Sequence, residues 1–242
     1  MSQRTMDEEM MARLMAANTT SGRAALGVSV WMRRMVWKSA LASAHFLKRG
    51  VDVLGSGALI LGLSPVFIFI ALCIKVEDGG PIIFAQTRVG KYGRLFKMFK
   101  FRSMCMDAEA KLQELLSRNQ HSQGVTFKLK DDPRITKVGK VIRALSLDEL
   151  PQLFNVFSGE MSLVGPRPPV PREVAMYTMR DRRRLEATPG ITCFWQVGGR
   201  AEIDFPQQVE LDVMYIERQS FWTDVKILLK TIPAVVNRKG AY

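Results

Sequence analysis

From Val51 to Ile74 the chain runs 24 residues with a single charge, Asp52, at its edge. About 20 apolar residues suffice to cross a bilayer as a helix. Ser64-Pro65 interrupts the run, leaving 13 residues before the serine and 9 after the proline. Proline removes a backbone donor and kinks a helix, and Ser64 can bond back to the carbonyl of Ile60. An arm of 13 residues reaches only about 20 Å at ~1.5 Å per residue, short of the ~30 Å hydrocarbon core. The pattern therefore predicts a helix-break-helix that dips into a membrane and returns, with Ser64 and Pro65 as the break. A kinked single span is the main competitor, and the core helix of a soluble domain the weaker one.

Elsewhere the pattern is mixed. Met6 to Ala17 reads as a weak helix ending in the polar break Asn18-Thr19-Thr20-Ser21-Gly22. Leu26 to Phe46 sets Trp31, Trp37, Arg33, Arg34 and Lys38 among apolar residues, a mixture suited to the membrane–water interface, although an ordinary surface helix would look similar. Ile82 to Val89 and Arg94 to Ser103 read as two extended segments around Gly90-Lys91-Tyr92-Gly93, a hairpin. In extended geometry Lys100 and Arg102 share one face about 7 Å apart, where two cations could hold a diphosphate. Further helices are expected at Asp107 to Arg118, Val138 to Leu145, Pro171 to Ala187, Pro206 to Arg218 and Phe221 to Ile232. These elements give a helix-rich, mixed α/β fold. It divides into an N-terminal extension with an interfacial helix (1–46), a re-entrant membrane helix (47–75) and a cytoplasmic catalytic domain (76–242).

One stretch carries candidate chemistry. In Ser146-Leu147-Asp148-Glu149-Leu150-Pro151-Gln152 two adjacent carboxylates precede an amphipathic run with Leu150, Leu153, Phe154 and Phe157 at helical spacing. Ser146 with Glu149 fits a capping box, but that register puts Pro151 beyond the first turn. Asp148 is the preferred N-cap, because Pro151 then falls among amides that lack intrahelical partners. A carboxylate at that position is favoured in its ionised form. Taken alone, the stretch reads better as an ordinary cap with an exposed first-turn acid, so the rest of the chain must decide. Arg143 lies five residues upstream, and Gly165-Pro166-Arg167-Pro168-Pro169 restrains a second guanidinium between prolines. The paired glycines before Arg200 would let a ligand approach the backbone.

Charge sharpens this picture. Lys plus Arg number 35 against 23 Asp plus Glu, a net charge of +12 over 242 residues. Such an excess suits nucleic acid, an anionic membrane surface or phosphate-bearing substrates. Basic residues flank the apolar run on both sides (Arg33, Arg34, Lys38, Lys48 and Arg49 before; Lys75, Arg88, Lys91, Arg94 and Lys97 after), which favours both ends being cytoplasmic. A nucleic-acid binder would not need that run, and no zinc-finger or RNA-recognition signature is present. Three cysteines without C-x-x-C spacing and two histidines suggest neither a disulfide frame nor a zinc site. Asp7, Glu8 and Glu9 precede any apolar core, unlike a secretory signal.

In order, the chain presents Ser64-Pro65, Gly79-Gly80-Pro81, Gln86-Thr87-Arg88-Val89-Gly90, Lys100-Phe101-Arg102-Ser103-Met104, Asp132-Pro133-Arg134-Ile135-Thr136, Ser146 to Gln152, Gly165-Pro166-Arg167-Pro168, Pro189-Gly190-Ile191-Thr192 and Gly199-Arg200. From about Lys48 to the C-terminus this series resembles the bacterial sugar transferases, the monotopic polyprenyl-phosphate phosphoglycosyl transferases, in their minimal form. Residues 1–46 lie outside the resemblance. It implies transfer of a sugar 1-phosphate from a UDP-sugar to undecaprenyl phosphate at the cytoplasmic face of the bacterial inner membrane, releasing UMP. This would be the first membrane step of exopolysaccharide or another surface glycan. It also implies Asp148 as nucleophile and Mg2+ ligand, Glu149 as its assistant, and Lys100, Arg143, Arg167 and Arg200 as substrate contacts. Arg88, Arg102 and Asp132 match family motifs and are also explicable as structural. Cys193-Phe194 departs from the family's usual small residues, which leaves the sugar open. A homo-oligomer is compatible with all of this. The non-enzyme alternative, an inactive membrane-anchored scaffold of a polysaccharide assembly complex, leaves the carboxylate pair and ordered arginines without a role.

Overall fold

The computed structural model describes residues 11, 15, 19–108, 110–111, 132–199 and 203–236. Arg200 and most of the segments expected to be helical at Met6 to Ala17 and Asp107 to Arg118 lie outside the described residues. The chain divides into two compact units, Met1–Lys48 and Arg49–Tyr242. The first holds the N-terminal part of helix α1 (Thr20–Gly62), where Trp31, Val36 and Trp37 are exposed.

In the second unit α1 ends at Gly62 and α2 (Ser64–Asp78) begins two residues later, with Pro65 in its first turn. The two limbs meet at 60°. The break is where the sequence places it, because Pro65 supplies no amide for the α1 ladder. Ser64 differs in detail: its Oγ donates to the carbonyl of Leu61 at 2.8 Å, not to Ile60. With α1 already over at Gly62, the hydroxyl reaches the nearer free carbonyl. Among the described residues no single helix is long and apolar enough to cross a membrane; His45–Gly62 and Ser64–Asp78 reach that character only together.

Strands β1 (Ile83–Val89) and β2 (Leu95–Phe101) form the expected antiparallel hairpin around a tight turn at Lys91–Gly93, with Phe84 opposite Lys100. Helix α3 (Lys137–Ala144) leads to a 3-10 turn, Leu147–Glu149, and then to α4 (Gln152–Ser158). Strand β3 (Ser162–Val164) pairs in parallel with β4 (Gly190–Thr192). A Cβ on Gly190 would lie 2.0 Å from the amide nitrogen of Gly165, so these backbones meet as closely as they do only because both residues are glycine. Helices α5 (Pro171–Ala175) and α6 (Met179–Arg182) and a 3-10 turn (Arg183–Glu186) occupy the stretch expected as one helix from Pro171 to Ala187. The correction has a local cause. Thr178 accepts the amide of Asp181 while Asp181 accepts the amide of Thr178, restarting the helix at a new cap. Helices α7 (Phe194–Gly198), α8 (Phe205–Glu217) and α9 (Phe221–Val236) complete the second unit. The fold is helix-rich and mixed α/β, with two small two-stranded sheets among the described residues.

Two apolar clusters position the carboxylate turn. One gathers Met98, Leu153, Val156, Met161, Leu163, Val164, Tyr215 and Ile227. The other joins Ile70 and Ile74 of α2 to Phe101 and Ile142, with Leu147 and Leu150 packed against it. The two residues that bracket Asp148-Glu149 are thus packed against a cluster to which the second limb of the bent helix contributes.

Candidate active site

Asp148 is not a helix cap. The N-cap position of α4 falls on Pro151, and no side chain caps it. Ser146 takes a left-handed conformation, φ 55°, and the chain then coils through Leu147–Glu149 before the helix begins. In a 3-10 turn residues three apart eclipse, so Leu147 and Leu150 fall on one side and both pack against the cluster of Ile70, Ile74, Phe101 and Ile142. Asp148 is consequently buried, only 8% exposed. That burial raises its pKa above the ordinary aspartate value, with Glu149 adding to the effect and Lys100 and Arg143 opposing it. The expected stabilisation of the anion by helix amides is therefore replaced by the opposite shift.

Glu149 behaves differently. Lys100 Nζ donates to its Oε1 at 2.7 Å and lies 3.9 Å from Asp148 Oδ2. Burial works to raise Glu149, but Lys100, Arg167 and Arg88 outweigh it and hold the group at about 2. Adjacent carboxylates thus have basicities pushed apart, the arrangement found where two acids take separate roles. Lys100 reaches them from β2, where it lies on the same face as Met98, two residues further along the strand.

The remaining cations sort into two groups. Arg143, from the last turn of α3, acts on Asp148, and Arg167, from the loop after β3, acts on Glu149. Arg88 also acts on Glu149 and is buried, donating to Gln86 Oε1 at 2.7 Å and to the carbonyl of Pro168 at 2.9 Å. Burial first, then Arg167, lowers its pKa to about 10. By gripping Pro168 it orients the loop that carries Arg167, a function the sequence motif alone did not reveal. Arg102 does not share a phosphate site with Lys100. β2 ends at Phe101, and Arg102 turns away to an ion pair with Asp78, its guanidinium filling the space that a side chain on Gly80 would take. Asp132 is likewise structural: Arg134 clasps it, with Nη2 2.6 Å from Oδ2, and keeps it ionised against the effect of burial.

No group of three or more His, Cys, Asp or Glu residues among those described forms a protein-only metal cage. Mg2+ does not require one. It commonly takes one or two carboxylates and completes its shell with substrate phosphate and water, and Asp148 with its neighbour meets that donor requirement.

Residues 43–238 match the model of the family described as bacterial sugar transferase. The galactosyl transferase CpsE of Streptococcus agalactiae is 51% identical over 197 residues, covering 80% of this chain and 43% of that protein. The undecaprenyl-phosphate galactose phosphotransferase of Salmonella typhimurium is 45% identical over 217 residues, covering 88% and 45%. The exopolysaccharide production protein ExoY of Rhizobium meliloti is 41% identical over 198 residues, covering 81% of this chain and 88% of its own length. This chain thus spans less than half of the first two relatives and most of the third. With the family match spanning the bent helix, the carboxylate turn and the arginines around it, the chain belongs to the bacterial sugar transferase family.

Proposed function

We propose that this protein transfers a sugar 1-phosphate from a UDP-sugar to undecaprenyl phosphate, releasing UMP, as a first membrane step in building a surface polysaccharide. The observation that carries the reading is the buried Asp148 beside an ionised Glu149–Lys100 pair, in a field set by Arg143, Arg167 and Arg88. A desolvated, more basic carboxylate is a better nucleophile, and two anionic substrates call for surrounding cations.

In this mechanism a carboxylate oxygen of Asp148 attacks the sugar-bearing phosphorus. The bond from that phosphorus to the bridging oxygen breaks, and UMP leaves with the electron pair. The acceptor's phosphate oxygen then attacks the phosphorus, the acyl-phosphate bond breaks, and the Asp148 carboxylate is restored. Glu149 assists by holding Lys100 toward the diphosphate. Arg143, Arg167 and Arg200 contact substrate phosphate or uridine. Mg2+, held by Asp148, would offset charge on the diphosphate.

The bent helix supports a monotopic placement at the cytoplasmic face of the inner membrane, with both limbs entering from one side and the nucleophile at headgroup depth. Single cysteines introduced on either flank of residues 51–74 in a cysteine-free background are expected to label from the cytoplasmic side only; external labelling of one flank would replace this with a span. The activity is tested by UMP release in the presence of undecaprenyl phosphate. UDP-galactose is the first donor to try, since galactose is named in two of the relatives described. UMP release is expected with at least one donor among UDP-galactose, UDP-glucose and their N-acetylated counterparts. None with any of them would overturn the reading.

A further inference from the structure

The bent helix grips the elements around the carboxylate turn at three places, and each contact uses a group that an apolar membrane helix has no need of. On the first limb, Arg49 donates Nη1 to the carbonyl of Val156 at 2.6 Å and Nη2 to that of Phe157 at 2.7 Å. These are carbonyls of the last turn of α4, where that of Val156 also accepts the amide of Gly159, and a cation there suits the helix dipole. One turn on, Asp52 is 5% exposed and accepts from Ser162 Oγ at 3.0 Å and the amide of Leu163 at 2.9 Å. On the second limb, Glu77 accepts the amides of Lys137 at 2.8 Å and Val138 at 3.3 Å, the first two residues of α3. Between these anchors Ile70 and Ile74 join Phe101 and Ile142 in the cluster against which Leu147 and Leu150 pack, and Phe67 meets Phe154 edge-on at 5.8 Å.

The pattern has a geometric consequence. Helix α3 precedes the carboxylate turn and α4 follows it, so one limb grips the outer end of each flanking helix. Ser146, at the junction, sits in a left-handed conformation that a non-glycine residue holds only when its surroundings impose it. We propose that the two limbs form a clamp, in which Arg49 and Glu77 are positioning residues that hold the Asp148-Glu149 turn in its reactive geometry. The inference rests on the phosphotransfer reading above for its chemistry, but not for its mechanics. Neither residue touches substrate; both act through the backbone of the helices they cap.

The test uses the full chain in anionic phospholipid vesicles. Arg49→Lys keeps the positive charge but cannot fork to two carbonyls, and Glu77→Ala removes the exposed cap at the other limb. Each is expected to lower kcat about 10- to 100-fold, the cost of a small misplacement of a reacting group, with KM for the UDP-sugar within about twofold. Amide hydrogen exchange at residues 146–150 is expected to quicken while β1 and β2 stay protected. Unchanged kcat and exchange in both variants would overturn the clamp. So would losses of kcat that disappear at lower temperature with exchange at residues 146–150 no faster than in the rest of the chain, which mark simple destabilisation. If Arg49→Lys does not fold, Glu77→Ala, altering an exposed side chain, decides alone. Exchange reads the clamp without catalysis, so wild-type protein that releases no UMP would sink the phosphotransfer reading and leave the clamp to be judged by exchange.

Discussion

Asp148→Asn is expected to reduce UMP release on the order of 10⁴-fold or more, the scale seen when a covalent nucleophile is removed from machinery otherwise intact. The amide keeps the shape of the carboxylate and its seat between Leu147 and Leu150, while losing the electron pair that forms the acyl phosphate. No phosphosugar adduct should accumulate when radiolabelled donor is mixed with the variant in the absence of acceptor, whereas the wild-type protein should retain label. Stability should move the other way or not at all. Burial raises the pKa of Asp148, so the folded state holds its proton more tightly than the unfolded chain does. Such an acid contributes most to stability below its unfolded pKa, and that contribution is lost as pH rises through the higher folded value. At neutral pH the ionised group is therefore a cost to folding that asparagine removes, and the melting temperature should not fall. Activity lost with stability kept would separate catalysis from architecture; full activity in the variant would end the nucleophile assignment.

What the sequence conveyed about this site follows the range of the interactions involved. The hairpin at Gly90–Gly93 and the break at Ser64-Pro65 depend on neighbours within a few residues, and both fall where periodicity and proline place them. Asp148 reads as a cap from its neighbours, but its position follows the packing of Leu147 and Leu150 against a cluster drawn from Ile70, Ile74, Phe101 and Ile142, most of it distant in sequence. The apolar spacing of Leu150, Leu153, Phe154 and Phe157 likewise suggested one buried face, yet Phe154 and Phe157 remain about half exposed while Asn155 is fully buried. Asn155 accepts the amide of Phe99 at 3.0 Å and donates to the carbonyl of Lys97 at 2.7 Å, fastening α4 to the strand that bears Lys100. A polar residue used this way is invisible to hydrophobic periodicity. The Gly165-Pro166-Arg167 and Pro189-Gly190 motifs, separate in sequence, are the two sides of one close parallel pairing. Their glycines were visible; their partnership was not, because parallel pairing is set by a crossover and leaves no local mark.

The buried pair Arg184–Asp212 carries the other large effect, on stability. Arg184 Nη2 donates to Asp212 Oδ2 at 2.5 Å and Nη1 donates to the Tyr177 hydroxyl at 3.1 Å, with the guanidinium over the rings of Tyr177 and Phe205. Arg184 is 5% exposed and Asp212 is fully buried, so removing either partner strands the other away from water. Breaking such a pair costs about 3–5 kcal/mol, but the two single variants should not be equivalent. Burial already lifts Asp212 to about 6 against the pull of Arg184. In Arg184→Met the aspartate can take up a proton and become neutral, so the loss should shrink as pH falls toward 5. In Asp212→Leu the guanidinium has no such escape, because arginine stays charged at any working pH. That loss should be the larger of the two and nearly independent of pH. The double variant Arg184→Met/Asp212→Leu replaces the pair with apolar volume and should recover much of what either single change removes. Denaturant unfolding of the four proteins in detergent at pH 5 and pH 8 measures all three comparisons. Additive losses in the double variant would mean that the two side chains stabilise the unit through separate contacts, not as an ion pair.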